Sequence, residues 1–286
     1  MTSIDPSLPT VLLAWTLDPA VLLALLLLAL IYAAGIARLR QRGRFGRNVQ
    51  TRHVTLFGLG WLALLLALQS PLDTYAADLF SLHMVQHLLL LMVAPPLLLL
   101  GKAVPVLLVG LPVDLARRLV RLARSSPVLH PLLSRLTAPL VAWPLYIGDL
   151  VLWHAPALYQ AALEDQTIHK LEHLCFLSTG LLFWWVVVEP LPGPIRLHHG
   201  LRLIYTWAAV LPTTALGALF TFSGQLWYPV YALVPRLWGL SALDDQRFGG
   251  LIMWLPGDMM YVAASSLLFF AMLAADERTE GVEALP

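Results

Sequence analysis

Five of the nine histidines in this 286-residue chain fall inside or at the ends of long apolar runs. His83 and His87 stand in FSLHMVQHLLLLMVAPPLLLLGK, His169 and His173 in HKLEHLCFLSTGLLFWW, and His154 closes WPLYIGDLVLWH. At about 100° per residue, partners four apart are separated by about 40° around a helix, so each pair presents two imidazoles on one face. That spacing chelates zinc in HExxH helices. Two pairs on neighbouring helices offer four nitrogen donors and His154 a fifth, for one ion or for two. Ionisable groups inside apolar spans are costly and face a cavity, a pathway or a partner. Interhelical hydrogen bonding accounts well for a single pair, whereas five histidines from three runs favour a metal site.

Further donors lie in the same runs. Met84 follows His83, and GGLIMWLPGDMMYVAASS carries Met253, Asp258, Met259 and Met260. Imidazole with thioether suits copper, whereas a carboxylate and water set suits magnesium or calcium. Each methionine taken alone is a common packing residue. Asp258, beside Pro256-Gly257, needs a partner and has three candidate roles: ligand, orienter of a histidine ring, or proton carrier. Asp149 lies about 140° from His154 around its helix and is expected to serve a different contact. Cys175, about 200° from His173, reads as a small buried residue.

Other chemistries compete for the same residues. HKLEH fits the H-x-x-E-H pattern of inverted zinc peptidases, with His169 and His173 as ligands and Glu172 as general base. Two histidines on opposing helices also suit a b-type haem, with Trp184-Trp185 lining a pocket. Pro95-Pro96, Pro144, Pro212 and Pro256-Gly257 interrupt four runs as in the broken helices of transporters. Zinc and haem therefore stand as alternatives to copper.

The elements that position these residues follow from composition. The chain is 59% hydrophobic and only 12% charged, beyond the apolar share of a soluble domain. It reads as an all-α membrane protein, since about 20 apolar residues cross the hydrocarbon as a helix. Seven spans are expected at roughly 19–37, 53–69, 79–100, 138–158, 167–188, 201–222 and 249–274, forming one domain over 1–274 with a disordered polar tail at 275–286. MTSIDPSLPT has no basic residue ahead of the first run, so that run is expected to be an uncleaved span rather than a secretory signal.

RLRQRGRFGRNVQTR and the connection after the third run concentrate arginine, which predicts cytoplasmic loops, an outside N-terminus and a cytoplasmic C-terminus. On that topology 15 of the 18 basic residues, Arg196, Arg202 and Arg278 among them, lie inside. The five histidines then meet at one outer depth. His53, His130, His198 and His199 map to cytoplasmic ends and read as surface or interfacial residues. In PVLLVGLPVDLARRLVRLARSSPVL, Leu115, Leu119 and Leu122 share a face and Arg117, Arg118, Arg121 and Arg124 spread over the remainder, which predicts a short amphipathic helix on the inner leaflet, where anionic lipid attracts its arginines. A net charge of +1 indicates no nucleic-acid partner, and a single cysteine excludes an internal disulfide.

In combination, FSLHMVQHLLLLMVAPPLLLLGK, WHAPALYQAAL, HKLEHLCFLSTGLLFWW and DQRFGGLIMW resemble the multi-spanning CtaG family of cytochrome c oxidase assembly proteins, over about residues 75–274. The resemblance implies a seven-span, non-enzymatic factor of the bacterial cytoplasmic (inner) membrane that helps mature haem-copper oxidase through copper delivery. It implies cytochrome c oxidase subunits and periplasmic copper donors as partners, and carries the family's histidine motifs onto His83, His87, His154, His169 and His173. Met84, Asp258, Met259 and Met260 remain additional candidates from the residue reading.

Overall fold

With no water to satisfy backbone groups in lipid, long apolar runs must pair their N–H and C=O groups internally. The computed structural model describes residues 6–191 and 197–283. Its α-helices are α1 (Leu8–Leu13), α2 (Pro19–Gln41), α3 (Thr51–Gln69), α4 (Pro71–Tyr75), α5 (Phe80–Leu88), α6 (Ala94–Leu100) and α7 (Ala103–Gly110). They continue with α8 (Val113–Ser125), α9 (Leu129–Leu136), α10 (Pro139–Trp153), α11 (Pro156–Glu164), α12 (Gln166–Val188), α13 (His199–Phe222) and α14 (Ala242–Glu283). No strand occurs among the described residues.

Among the described residues, six stretches are long and apolar enough to cross a membrane: Pro19–Gln41, Thr51–Tyr75, Phe80–Leu100, Gln166–Val188, His199–Phe222 and Ala242–Phe270. Helices α9 and α10, bent by 69° at their junction, make a seventh if counted as one span. This fourth segment differs from the run expected at 138–158. Regular helix stops at Trp153, because Pro156 has no N–H and holds Ala155 extended at φ −65° and ψ 131°. Residues 156–158 therefore open α11 instead of prolonging α10.

The Pro-Pro pair has a local explanation. Leu91 C=O has Pro95 four residues on and Pro96 five residues on, so neither an α nor a π hydrogen bond can form to it. The chain widens into a π turn over Leu89–Val93, and α6 restarts at Ala94 with the prolines in its first turn. Leu91 O instead accepts from Trp184 Nε1 of α12 at 3.1 Å. Gly180 lies against the same carbonyl, where a Cβ would stand 2.8 Å from it. The break thus joins the third span to α12 by a side-chain bond in place of a backbone one.

Just past α6, Gly35 and Gly110 let α7 press against α2, since a Cβ on either would strike the backbone carbonyl of Val106 or Ile31. Small residues permit such close helix approach within a membrane. Gly110→Leu is expected to lower the thermal midpoint of the purified protein by several degrees while leaving its metal stoichiometry unchanged, as scored by differential scanning fluorimetry and elemental analysis.

Helix α8 keeps Leu115, Leu119 and Leu122 exposed along one side. Spaced four and three residues apart, they share one face, as in an amphipathic helix. His53 differs from expectation: it is buried, and its Nδ1 accepts from the Gln50 N–H at 2.9 Å to cap α3. His198 likewise caps α13. Helix α14 runs to Glu283, into the stretch read as a disordered tail, because no proline intervenes before Pro286. Residues 284–286 and Arg196 lie outside the described residues.

Candidate metal centre

Three segments converge at the end of the bundle opposite the arginine-rich connection between α2 and α3. Helix α5 contributes His83 and His87 from its face toward α12, and α12 contributes His169, Glu172 and His173. His154 is the residue that ends α10. His83, His87, His154 and His173 are buried, and His169 is half-buried. Ring centroids are 4.2 Å apart for His83–His87, 4.1 Å for His169–His173 and 5.2 Å for His83–His169. His87 stands 5.8 Å from His154 and 6.0 Å from His173.

Glu172, with no exposed surface, sits between the α5 pair. Its carboxylate oxygens are 3.6 Å from His83 Nε2 and 3.5 Å from His87 Nε2. These separations are long for hydrogen bonds. They are close to the edge of a tetrahedral donor set, about 3.4 Å for bonds of about 2.0–2.1 Å. Two donor groups result, His83/His87/Glu172 and His83/His169/His173, each with ligand atoms within 4.8 Å of one another. They share His83.

Neither ring nitrogen of His83 or His87 has a hydrogen-bond partner among the described residues, nor does Nε2 of His169 or His173, nor either oxygen of Glu172. Buried polar groups are normally paired, and unpaired ones call for an ion, water or catalytic role. Eight such atoms in one cluster match the donor chemistry of a borderline or soft cation.

The scaffold around the cluster is polar at chosen points. Helix α5 has no cap of its own, and Asp245 of α14 supplies one. Asp245 accepts from the N–H groups of Phe80 (2.7 Å) and Ser81 (3.1 Å) and from Ser81 Oγ (2.6 Å), with Arg236 at 3.7 Å behind it. Gln86, one turn further along, donates to Ala67 O and to Asp73 Oδ1, both at 2.7 Å, which fixes the rotation of α5 against α3. Gly249 admits the Phe80 ring to the α14 backbone. A roof of Phe80, Tyr159, Phe220, Tyr228 and Tyr231 closes this end, with Tyr228 OH donating to His154 O at 2.7 Å.

A cleft of about 220 Å³ beside α2 and α3 reaches His169 and His173. Asp18 and Lys170, 2.6 Å apart, line it, and the Lys170 ammonium holds the Asp18 carboxyl below the ordinary carboxylate range.

The remaining candidates separate. Met84 Sδ lies 3.4 Å from His154 Nε2. Met259 is 71% exposed on the outer side of α14, Met260 packs in the apolar core, and Asp258 accepts from Thr214 Oγ1 at 2.7 Å. The structure does not bring these three to the histidines, because the buried side of α14 carries Gly250, Gly257 and Tyr261, and consecutive positions turn by about 100°. Asp149 pairs with Thr179 Oγ1 at 2.7 Å, the different contact expected for it, while Cys175 is half-buried.

Glu172 as a direct neighbour of the α5 histidines was not read from the sequence. Its position three residues after His169, on the same side of the helix, was the available signal. Asp245 carried no such signal, since its partner is 165 residues away.

Fold and site together define a multi-pass helical membrane protein with a buried histidine–carboxylate cluster between its helices. The chain belongs to the cytochrome c oxidase caa3 assembly factor family (Caa3_CtaG), whose profile matches residues 30–275. Uncharacterised proteins of Mycobacterium bovis and Mycobacterium tuberculosis are each 32% identical over 275 residues, covering 90% of this chain and 40% of their own length. One of Mycobacterium leprae is 26% identical over 277 residues, covering 92% of this chain and 40% of its own. The chain thus spans about two fifths of the length of these relatives. No solved structure matches it.

Proposed function

We propose that the protein holds copper at the histidine cluster and helps metallate a cytochrome c oxidase subunit in the bacterial cytoplasmic membrane. The observation that carries this reading is the set of buried, unpaired donors of His83, His87, His169, Glu172 and His173. Copper is cargo here, received and released by ligand exchange, and no substrate bond is made or broken. The arginine-rich connections favour a cytoplasmic location, which puts the cluster and its cleft on the periplasmic side, where copper donors reach it. Membership of the assembly-factor family supports the oxidase as recipient.

Two observations weigh against the alternatives. In an H-x-x-E-H peptidase Glu172 has to face water and substrate, whereas here it is enclosed by His83 and His87. Imidazoles packed with centroids 4.1–6.0 Å apart suit ions held among them better than a macrocycle. Purified protein supplied with copper is expected to retain it, and His83→Ala/His87→Ala is expected to lose most of that metal, measured by elemental analysis against the optical spectrum. Undiminished copper in the double variant overturns the assignment, and a Soret band in the wild type transfers it to haem.

A further inference from the structure

We propose a second, soft-metal site between Met84 and His154, distinct from the histidine–carboxylate cluster and selective for monovalent copper. It rests on the copper reading above only for the identity of its natural occupant.

The His154 tautomer is set by the backbone of its own helix. Nδ1 lies 2.7 Å from Leu150 O, an acceptor with no proton to give, so Nδ1 carries the hydrogen. In the neutral ring Nε2 then bears a lone pair, and it faces Met84 Sδ, another lone-pair atom, at 3.4 Å. No proton lies between them in that state. The alternative is an imidazolium, a charge buried at 3% exposure beside a 1% exposed methionine, which is costly without a counter-ion.

A soft cation resolves the arrangement. With metal–nitrogen and metal–sulfur bonds of about 2.0 and 2.3 Å, a tetrahedral centre holds N and S about 3.5 Å apart. The Nδ1–H to carbonyl bond is also the outer contact that orients metal-binding histidines.

The surroundings select charge and softness. A pocket bordering both residues is lined by Met84, Met92, Met253, His87 and His154 together with leucines and Thr213, whose hydroxyl donates to Ala209 O, and no carboxylate lines it. Thioether and neutral imidazole select copper(I). Charging energy rises with the square of the charge, so a dry pocket of neutral donors accepts a monovalent ion far more readily than a divalent one. The Glu172 cluster has the opposite bias. His87 borders both, which places the two sites side by side along α5.

The test uses the full chain in lipid nanodiscs with silver(I), a redox-inert soft probe, and zinc(II). Wild type is expected to bind silver with sulfur in its shell by X-ray absorption. Met84→Leu, which keeps side-chain volume, should lose that sulfur and one equivalent of silver while keeping its zinc. Glu172→Gln should lose zinc and keep the sulfur-ligated silver. Should Glu172→Gln keep its zinc, the cluster reading fails alone, and the silver result still stands for this site. Unchanged silver and sulfur in Met84→Leu overturns the proposal. If that variant does not fold, selenomethionine-labelled wild type decides: a selenium–silver vector supports the site, and its absence overturns it.

Discussion

Glu172→Gln is expected to strip the histidine cluster of divalent metal while raising the stability of the metal-free protein. The carboxylate lies 3.5–3.6 Å from Nε2 of two histidines, and neither oxygen has a hydrogen bond. Glutamine preserves shape but removes the formal charge that offsets a dication in a dry site. Loss of an outer contact costs a metal site 10–100-fold, so loss of a direct carboxylate donor should cost at least about 100-fold, or about 2.7 kcal/mol. At metal 100 times the wild-type Kd, ligand stabilisation should fall from about 2.7 to about 0.4 kcal/mol. In chelator the order reverses, because an unpaired buried carboxylate is itself destabilising. Thermal unfolding with and without metal measures both signs. The variant also divides the two chemistries. A peptidase that loses its general base keeps its zinc and stops cleaving, so full metal retention in Glu172→Gln sinks the ligand role.

The parts of this design that were legible in the sequence are those set by short-range geometry. An i, i+4 pair must share a face, so His83 with His87 and His169 with His173 were readable before any packing was known. Asp149 could be separated from His154 by the same arithmetic, and Thr179 proves to be its partner. Apolar run length located six of the helical stretches because lipid allows no other backbone solution.

What sequence reading missed depends on distance or on depth within a helix. His154 ends α10, because the Ala155-Pro156 step stops the helix there; an apolar count cannot see that break. Met259 and Met260 share a segment with Asp258, but the face of α14 turned inward was decided by glycine contacts with α5 and α13. Asp245 opens DQRFGGLIMW, where no residue nearby in the chain marks it as a cap for another helix. Only the fold brings it to the start of a helix that lacks a cap.

Asp245→Ala should therefore be the most destabilising polar substitution around the site, and its effect should reach the metal. Losing an N-cap alone costs about 0.5–2 kcal/mol. Here the change also leaves the Phe80 and Ser81 N–H groups without their acceptor and Arg236, itself mostly buried, without its carboxylate. Breaking a buried ion pair from one side costs about 3–5 kcal/mol, which sets the expected scale. Asp245→Asn keeps an acceptor and should fall between. Because His83 is only two residues beyond Ser81, release of the helix start should loosen the cluster, whose donors must hold to about 0.2 Å. Metal affinity should then fall together with the thermal midpoint. If Asp245 only caps, the folded variant will bind metal as wild type does, and its loss of stability will stay within the capping range. Removing Arg236 as well separates charge from cap: Asp245→Ala/Arg236→Leu should recover part of the stability lost in Asp245→Ala, since the stranded charge is gone, but should not restore metal affinity, since α5 still begins uncapped. A double variant no more stable than Asp245→Ala would show that the ion pair contributes nothing and that the helix start alone carries the effect.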